Sequence, residues 1–156
     1  MHLKKIWPIL MLVTLILPLS LKARDISKDD ILGLWLSEEK DGVIEVTKDG
    51  ELYQGHLVWI KELADGTKKE ILDKENPDES KRGRSLQGIK LFYGFNYDDE
   101  EWNNGSIYDP KSGKTYSSFL ELKDENTLKL RGYVGIPLFG RTSIWTRVKE
   151  IPKTEN

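Results

Sequence analysis

The feature that most restricts how this chain can fold is a succession of short runs rich in Val, Ile, Tyr, Trp, Phe and Thr, each ended by a turn signal. Runs of this length and composition are typical of β-strands. Asp41-Gly42 and Asp65-Gly66 supply tight turns, and Asp109-Pro110-Lys111-Ser112-Gly113 combines the fixed φ of proline with the freedom of glycine. The pattern predicts nine strands, at residues 32–37, 42–47, 51–61, 67–72, 88–96, 101–109, 114–122, 127–134 and 141–149.

Closure of the sheet is the simplest way for these strands to avoid open edges. Antiparallel strands joined by short turns leave two unpaired edges unless the sheet closes into a barrel. We therefore predict an all-β fold, an antiparallel up-and-down β-barrel whose interior is either filled or holds one small ligand. One short N-terminal helix is predicted over Ser27–Leu32, because Ser27 and Asp30 have the spacing of a capping box. The charged segment 73–85 is predicted to be a long surface loop.

The N-terminus has the features of a secretion signal. Lys4 and Lys5 precede an uncharged, mostly apolar stretch of 16 residues, 6–21, which is the order of segments in a signal peptide. A membrane-spanning helix would need roughly 20 apolar residues. We expect residues 1–23 to be a signal peptide cleaved near Ala23, residues 24–150 to form a single β-barrel domain, and residues 151–156 to be a flexible tail. The mature protein is then expected to be extracytoplasmic, either periplasmic or secreted, without a transmembrane span.

Composition argues against several classes of function. Without the three lysines of the signal peptide, 21 basic residues stand against 26 acidic ones, a net charge of −5. An acidic chain without a long basic run is poorly suited to nucleic acid, whose phosphates need clustered Lys and Arg. The chain has no cysteine, and His56 is the only histidine of the mature part. We predict no catalytic residue, no metal site and no cofactor, since a lone strand histidine lacks a placed partner.

Residues at the two ends of the predicted barrel indicate how its floor is closed. Gly33-x-Trp35 opens the first strand, and Trp145-Thr146-Arg147 lies in the last one. This pairing resembles the lipocalin-type barrels, in which an indole ring closes the floor and an arginine from the final strand stacks on its face. The alternative is a core tryptophan and an unrelated surface arginine. We expect Trp35 to form the floor, and Trp102 to lie at a rim beside a turn.

A longer set of motifs spans the chain from Gly33 to Val148. The motifs are Asp73-x-x-Asn76-Pro77, Arg84-x-Leu86-x-Gly88, Trp102-x-x-Gly105-x-Ile107-Tyr108-Asp109-Pro110-x-x-Gly113-Lys114-Thr115-Tyr116, Leu128-x-x-Arg131-Gly132-Tyr133-x-Gly135 and Trp145-Thr146-Arg147-Val148. Together they resemble a secreted bacterial family, the domain of unknown function DUF2147. The resemblance implies an exported single-domain protein with a lipocalin-like barrel, and it brings no established activity, ligand or catalytic residue. The loop arginine of that family falls within Lys81-Arg82-Gly83-Arg84, where either arginine fits.

Five side chains are candidates for binding a ligand: Arg131, Arg141, Tyr108, Tyr116 and Arg84. Alternation along a strand puts Arg131 on one face with Lys129 and Tyr133, and puts Arg141 on one face with Ser143, Trp145 and Arg147. An arginine that faces inward among aromatic rings would suit an anionic or amphipathic ligand, whereas an outward one would be an ordinary solvated residue. Tyr108 and Tyr116 flank a turn, so their rings could face each other across the hairpin.

These observations favour an exported barrel that binds a small amphipathic, lipid-like ligand or contacts the cell envelope, without covalent chemistry. Two alternatives from other classes remain open. One is a carboxylate-dependent hydrolase of the envelope, which would need a pair of acids in a cleft. The other is a packed structural or interaction domain with a filled barrel. The state of the barrel interior separates the three, since fold analogy alone does not identify a ligand.

Overall fold

The barrel is closed and antiparallel, and its eight strands follow one another in chain order, as seen in a computed structural model that describes residues 26–153. The strands are β1 (Gly33–Leu36), β2 (Gly42–Asp49), β3 (Leu52–Ile60), β4 (Lys90–Asp98), β5 (Glu101–Asp109), β6 (Lys114–Asp124), β7 (Thr127–Tyr133) and β8 (Arg141–Val148). Closure is made by β8, which pairs with β1 through Leu34 opposite Val148 and Leu36 opposite Thr146. The predicted all-β up-and-down barrel is confirmed.

Helical residues are few. The described part of the chain has one four-residue helix, α1 (Lys61–Ala64), and single 3-10 turns at Glu79–Lys81 and Pro137–Phe139. None of the helices in residues 26–153 has the length and apolar character needed to cross a membrane. The predicted signal peptide, its cleavage near Ala23 and the last residues of the predicted tail, 154–156, lie outside the described residues.

The strand predicted at residues 67–72 is wrong. This segment belongs to the long connection between β3 and β4, where its one ladder contact is a bridge between Leu72 and Ser85. The reason is that Thr67-Lys68-Lys69-Glu70 has no apolar face to bury. Lys68 instead folds back on α1, where its backbone N–H donates to the Glu62 carbonyl at 2.8 Å and its Nζ donates to the Glu62 carboxylate at 3.0 Å.

The predicted N-terminal helix over Ser27–Leu32 is a pair of turns. The N–H groups of Asp30 and Leu32 donate to the carbonyls of Ser27 and Asp29 at 3.0 and 3.1 Å. The expected capping contact is present, since the Ser27 N–H donates to the Asp30 carboxylate at 2.8 Å. The helix does not continue because side chains of the barrel donate hydrogen bonds to carbonyl groups that a longer helix would use.

These barrel side chains hold the N-terminal segment as a plug in one end of the barrel, the closed end. The indole N–H of Trp35 donates to the Ile31 carbonyl at 2.8 Å, and that of Trp102 donates to the Lys28 carbonyl at 3.2 Å. The Tyr97 hydroxyl donates to the Ile26 carbonyl at 2.8 Å. Ile31 fills the centre and is fully buried. A polar ring around an apolar centre therefore closes this end.

Trp35 lies in the floor, as predicted. The guanidinium carbon of Arg147 is 4.2 Å from the centroid of its ring, so the expected stacking of a last-strand arginine on this indole is confirmed. The rim position expected for Trp102 is wrong, because Trp102 is also fully buried. Its ring packs 4.9 Å from that of Tyr97 and 6.2 Å from that of Tyr53, under the N-terminal plug.

The middle of the barrel is filled by two phenylalanines on β4. Phe92 and Phe95 are fully buried, and their rings meet edge to face at 5.4 Å. Phe95 lies directly over Gly105 of β5, where an added Cβ would come within 2.2 Å of the ring. The glycine is needed for this close approach. Toward the closed end the interior is occupied by further large buried rings, those of Trp35, Trp102 and Tyr53.

Candidate functional site

The open end of the barrel contains a cavity of about 730 Å³. Four connections surround its mouth: β1–β2, β3–β4, β5–β6 and β7–β8. Its walls are mainly aliphatic and aromatic, with Ile44, Leu57, Leu91, Ile107, Leu130 and Trp145 among the lining residues. The volume lies within the roughly 300–1,000 Å³ of sites that bind small molecules. The barrel is thus filled at one end and hollow at the other.

Strand β8 runs from the mouth into the interior and carries three inward residues. Arg141 lies opposite Gly132, Ser143 opposite Leu130, and Trp145 opposite Leu128. The ring N–H of Trp145 donates to the Ser143 hydroxyl at 3.0 Å. All three β8 residues line the cavity. A basic group at the lip, a hydroxyl below it and an indole at the base therefore follow one another along one strand.

Arg141 has the inward placement that we considered from the sequence. It lies at the lip of the cavity with its side chain exposed to solvent. Among residues 26–153, no carboxylate pairs with its guanidinium group. An arginine offers a planar fork of donors that suits a carboxylate or a phosphate group. Its role as a ligand-binding residue stays a prediction, and its position is suited to that role.

Arg131 faces outward and does not line the cavity. Its guanidinium group donates to the carbonyls of Pro137 and Leu138 at 2.7 and 3.2 Å, and to the Thr142 hydroxyl at 2.7 Å. The side chain therefore braces the β7–β8 connection from outside. The two arginines that alternation made equivalent candidates have different surroundings, because the register of β7 and β8 turns only Arg141 inward.

The two tyrosines do not face each other across their hairpin. The register pairs Tyr108 with Thr115 and Tyr116 with Ile107, so the tyrosines lie on opposite faces of the sheet. Tyr116 shares the inward face with Ile107 and lines the cavity. Tyr108 is buried on the other face, where its hydroxyl donates to Asp73 at 2.5 Å. Of the five candidate residues, Arg141, Tyr116 and Tyr108 contribute to the lining of the cavity, and Arg141 and Tyr116 do so from the inward face.

Arg84 and Tyr108 belong to a second cluster, the Asp73 latch, which fastens the long β3–β4 connection to β5. The fully buried carboxylate of Asp73 accepts hydrogen bonds from Tyr108, from the Asn76 amide at 2.7 Å and from the Arg84 Nε at 3.0 Å. Arg84 also forms an ion pair with it at 2.8 Å. The segment expected to be a solvated loop is therefore anchored by a buried charge.

The hydrogen-bond donors of the Asp73 latch keep the Asp73 carboxyl group ionised. Burial alone would raise the pKa of the Asp73 carboxyl, but the donors from Tyr108, Asn76 and Arg84 outweigh it and hold the pKa below its usual value. Burial and the hydrogen bond to Asp73 raise the pKa of Tyr108 to about 12, so its hydroxyl remains a donor. A charged acceptor with several donors is among the stronger hydrogen-bonded arrangements in proteins.

The Asp109–Gly113 turn packs against the latch. Gly113 has a φ of +69°, and an added Cβ would lie 1.9 Å from the backbone oxygen of Glu75. Glycine is required here both by the conformation and by the neighbouring chain. This contact explains why the motif ends in glycine, and it joins the β3–β4 and β5–β6 connections on one side of the mouth.

Three of the carboxylates around the mouth have hydrogen-bond partners, and Glu39, which also lines the mouth, has none within residues 26–153. Asp41 accepts from the Ser37 hydroxyl at 2.8 Å, Glu62 from Lys68 at 3.0 Å, and Asp109 from the Ser112 hydroxyl at 2.6 Å. Within residues 26–153, no three His, Cys, Asp or Glu side chains lie close enough together to hold a metal ion. The cavity offers mainly apolar contact, together with the hydroxyls of Ser143 and Tyr116, the Glu39 carboxylate and, within the described chain, an Arg141 guanidinium group that has no carboxylate partner.

Two features of this end were missed in the sequence. The buried role of Asp73 is not expected for a surface loop, although Asp73 and Asn76 share one motif and the next motif begins at Arg84, which was a signal of a shared structural role. Ser118 is fully buried on the inward face between Gly105 and Gly132, and its hydroxyl has no hydrogen-bond partner in the described chain. Nothing in the sequence distinguishes Ser118 from the neighbouring Ser117.

A solved structure with a similar fold supports this description of the architecture. The protein HP1028 from the human pathogen Helicobacter pylori, described as belonging to the lipocalin family, superposes with a TM-score of 0.67 and is 19% identical in sequence. The similarity covers 76% of this chain and 83% of that one. At this identity the likeness shows the fold, an eight-stranded lipocalin-like barrel.

Sequence comparison places the chain in a family without an assigned activity. No curated protein matches it. A family model described as "Uncharacterized protein conserved in bacteria (DUF2147)" matches residues 33–147, which span the barrel from the first strand to the arginine that stacks on Trp35. The chain therefore belongs to the DUF2147 family of bacterial proteins.

Proposed function

We propose that this protein is a binding protein for one small amphipathic ligand. The apolar body of the ligand occupies the cavity, and its anionic head lies at the lip against Arg141. The observation that carries the proposal is the arginine itself, which points to a cavity of about 730 Å³ and has no carboxylate partner in the described chain. The side chain is exposed at the lip, so its guanidinium group is solvated in the free protein and is open to a charge-assisted contact with the anionic head of a ligand.

The lining favours a fatty acid or a lipid fragment over a sugar. Aliphatic side chains such as Leu57, Leu91 and Leu130 make up much of the wall, and Ser143 is a single hydroxyl deep in the pocket. A sugar would need many more polar partners for its hydroxyl groups, since each one left unpaired in an apolar site costs free energy. A molecule with a carboxylate or phosphate head and an acyl tail needs polar partners only at its charged end, and its tail needs only apolar contacts.

The experiment is a titration of a fluorescent fatty acid into three forms of the protein. The wild type should bind saturably with one site. Arg141→Ala should weaken binding about tenfold, as expected for the loss of one charge-assisted contact of about 1.4 kcal/mol. Lys149→Ala is the matched control, since Lys149 is an exposed basic residue just past the other end of β8, and it should bind as the wild type does.

A neutral analogue of the same acyl length separates the head from the tail. Its affinity should be the same for the wild type and for Arg141→Ala, because it has no charge to lose. Native mass spectrometry of the gently purified protein adds the natural occupant, with a single added mass expected. An absence of saturable binding to the wild type would favour a structural or interaction domain. Binding that Arg141→Ala leaves unchanged would remove the proposed anchor.

We also propose that the protein works outside the cytoplasm, in the periplasm or after secretion. Lys4 and Lys5 followed by the apolar stretch 6–21 support this location. Mass spectrometry of the extracytoplasmic fraction should find a chain that begins near Arg24. An intact chain starting at Met1 and confined to the cytosol would contradict the location.

A further inference from the structure

The connection between β7 and β8 exposes a row of large apolar side chains beside the cavity. Val134, Ile136, Leu138 and Phe139 are between 53% and 79% exposed, and together they make up most of the segment Val134–Phe139, here called the apolar loop. Single exposed hydrophobic residues are common on protein surfaces. Four within six consecutive positions form a contiguous patch, and such patches mark contact with a membrane or another molecule.

Hydrogen bonds within and around the apolar loop fix the conformation in which these side chains are exposed. A 3-10 turn spans Pro137–Phe139, and the Gly140 N–H closes it on the Pro137 carbonyl at 3.0 Å. Arg131 adds three hydrogen bonds, two to carbonyls within the loop and one to Thr142. The backbone of the second half of the loop is therefore fixed, and the side chains of Leu138 and Phe139 extend into solvent.

In its own stretch of the chain the apolar loop has only basic charged neighbours. No Asp or Glu occurs between Glu125 and Glu150, although the whole chain has a net charge of −2. Of the basic residues in this stretch, Lys129 pairs with Glu121 at 2.8 Å, and Arg147 stacks on Trp35 at the closed end. Arg131 and Arg141 remain beside the apolar loop, and neither pairs with a carboxylate in residues 26–153.

An apolar tip flanked by arginines on an otherwise acidic protein has the chemistry of a bilayer contact. Apolar and aromatic side chains enter the boundary between headgroups and acyl chains, while nearby basic residues are attracted to anionic headgroups. The loop is also continuous with the cavity, since Val134, Phe139 and Arg141 line the mouth. We propose that the apolar loop docks this protein onto a lipid bilayer with anionic headgroups, with the cavity mouth facing the membrane.

Docking goes beyond the proposed function and does not require the cavity to be occupied, so the two proposals can fail separately. The chain has no cysteine, which allows a single one to be introduced and labelled. Leu138→Cys places a polarity-sensitive fluorophore on the apolar loop, and Phe139→Cys gives a second site there. Asn126→Cys is the matched control, because Asn126 is exposed in the β6–β7 turn at the closed end.

The labelled mature proteins, which begin at Arg24, are mixed with vesicles of phosphatidylglycerol and phosphatidylcholine, or of phosphatidylcholine alone. With anionic vesicles we expect a blue shift and a several-fold rise in emission at Cys sites on the loop, and no change at the control site. Arg141→Glu in the Leu138→Cys background should raise the lipid concentration at half-maximal signal about tenfold.

Four results would overturn the proposal. Emission from both loop sites that does not change with anionic vesicles shows that the loop stays in water. Equal changes at the loop and control sites show general adsorption or attachment through another segment. Emission changes that are as large with neutral vesicles as with anionic ones show that the arginines do not contribute to docking. A change that grows with protein concentration in the absence of vesicles shows that a second copy of the chain covers the loop.

Discussion

The guanidinium group of Arg147 joins three separate parts of the chain at the closed end of the barrel, with its carbon 4.2 Å from the centroid of the Trp35 ring. Its nitrogens donate to the carbonyls of Asp30 and Leu32 in the N-terminal plug, the latter at 2.8 Å. Its Nε donates to the Glu125 carbonyl in the β6–β7 turn at 2.6 Å. One side chain on the last strand thus connects the plug, the first strand and a distant turn.

Replacing this arginine should loosen the closed end. Arg147→Met keeps an apolar stem but leaves three carbonyls without their donor, and it removes the charge over Trp35. We expect the free energy of unfolding to fall by about 3 kcal/mol, given the loss of three hydrogen bonds, two of them to part-buried carbonyls, and of the cation–π contact. Lys149→Met, an exposed neighbour, should change it by less than about 0.5 kcal/mol. Urea unfolding followed by tryptophan fluorescence measures both, and equal midpoints for the two variants would contradict the role of Arg147.

The closed end was largely predictable from sequence, and its inner packing was not. Gly33-x-Trp35 and Arg147 were recognisable because their pairing resembles that of the lipocalin-type barrels. Trp102 was misplaced because its burial depends on the N-terminal plug, a contact between residues 74 positions apart that no local pattern records. The strand expected at 67–72 is wrong for a different reason. The turn signals on either side of this segment are typical of a strand, but the segment has no apolar face to bury.

At the open end, too, local sequence patterns predicted some features, while features that depend on contacts between distant residues could not be predicted. Alternation correctly grouped Arg141 with Ser143 and Trp145, but which group turns inward depends on pairing with Leu130 and Gly132 of β7. The burial of Asp73 depends on Tyr108, which is 35 positions away along the chain. The sequence pattern could therefore nominate side chains for the site, while only the register could select among them.

The Asp73 latch should contribute strongly to stability. Tyr108→Phe removes one donor from a buried carboxylate, and we expect a loss of about 1–2 kcal/mol. Asp73→Asn removes the charge that pairs with Arg84, and we expect about 3 kcal/mol, as is common when one partner of a buried ion pair is lost. Glu75→Gln is the control, an exposed carboxylate in the same connection, with an effect below about 0.5 kcal/mol. Urea midpoints at neutral pH test the order, and a Glu75 variant as destabilised as the Asp73 variant would refute it.

Acid should release the latch. The folded-state pKa of Asp73 is held below its usual value, so the carboxylate adds stability above the unfolded pKa of about 3.9, and this contribution is lost as the pH falls through the folded value. The stability difference between wild type and Asp73→Asn should therefore be largest near neutral pH and shrink below about pH 4. Urea unfolding of both proteins between neutral and acidic pH gives this difference directly. A gap that widens toward acid would show that the sign is wrong.

The buried hydroxyl of Ser118 should be dispensable for folding. It has no hydrogen-bond partner in the described chain, and a buried polar group in that state costs about 1–3 kcal/mol relative to a satisfied one. Ser118→Ala should therefore leave the free energy of unfolding unchanged or raise it by up to about 1 kcal/mol. Ser117→Ala, at an exposed neighbouring position, is the matched control and should be neutral. A marked loss of thermal stability for Ser118→Ala alone would show that this hydroxyl has a stabilising partner.

Blocking the cavity tests the central claim that the open end of the barrel binds a ligand. Gly132 lines the cavity, and an added Cβ would lie 3.5 Å from Ile107 and 3.7 Å from Tyr116, both ordinary contact distances. Gly132→Leu therefore fits its own position while the rest of the side chain extends into the cavity. Gly83→Leu is the matched control, since a Cβ at Gly83 in the β3–β4 connection meets nothing within 4 Å.

The measurement is a titration of a fluorescent fatty acid into wild type, Gly132→Leu and Gly83→Leu, each first shown by circular dichroism and thermal unfolding to be folded. We predict saturable one-site binding for wild type and for Gly83→Leu, and at least tenfold weaker binding for Gly132→Leu. Saturable binding of equal strength in all three proteins would place the ligand outside the barrel and contradict the account.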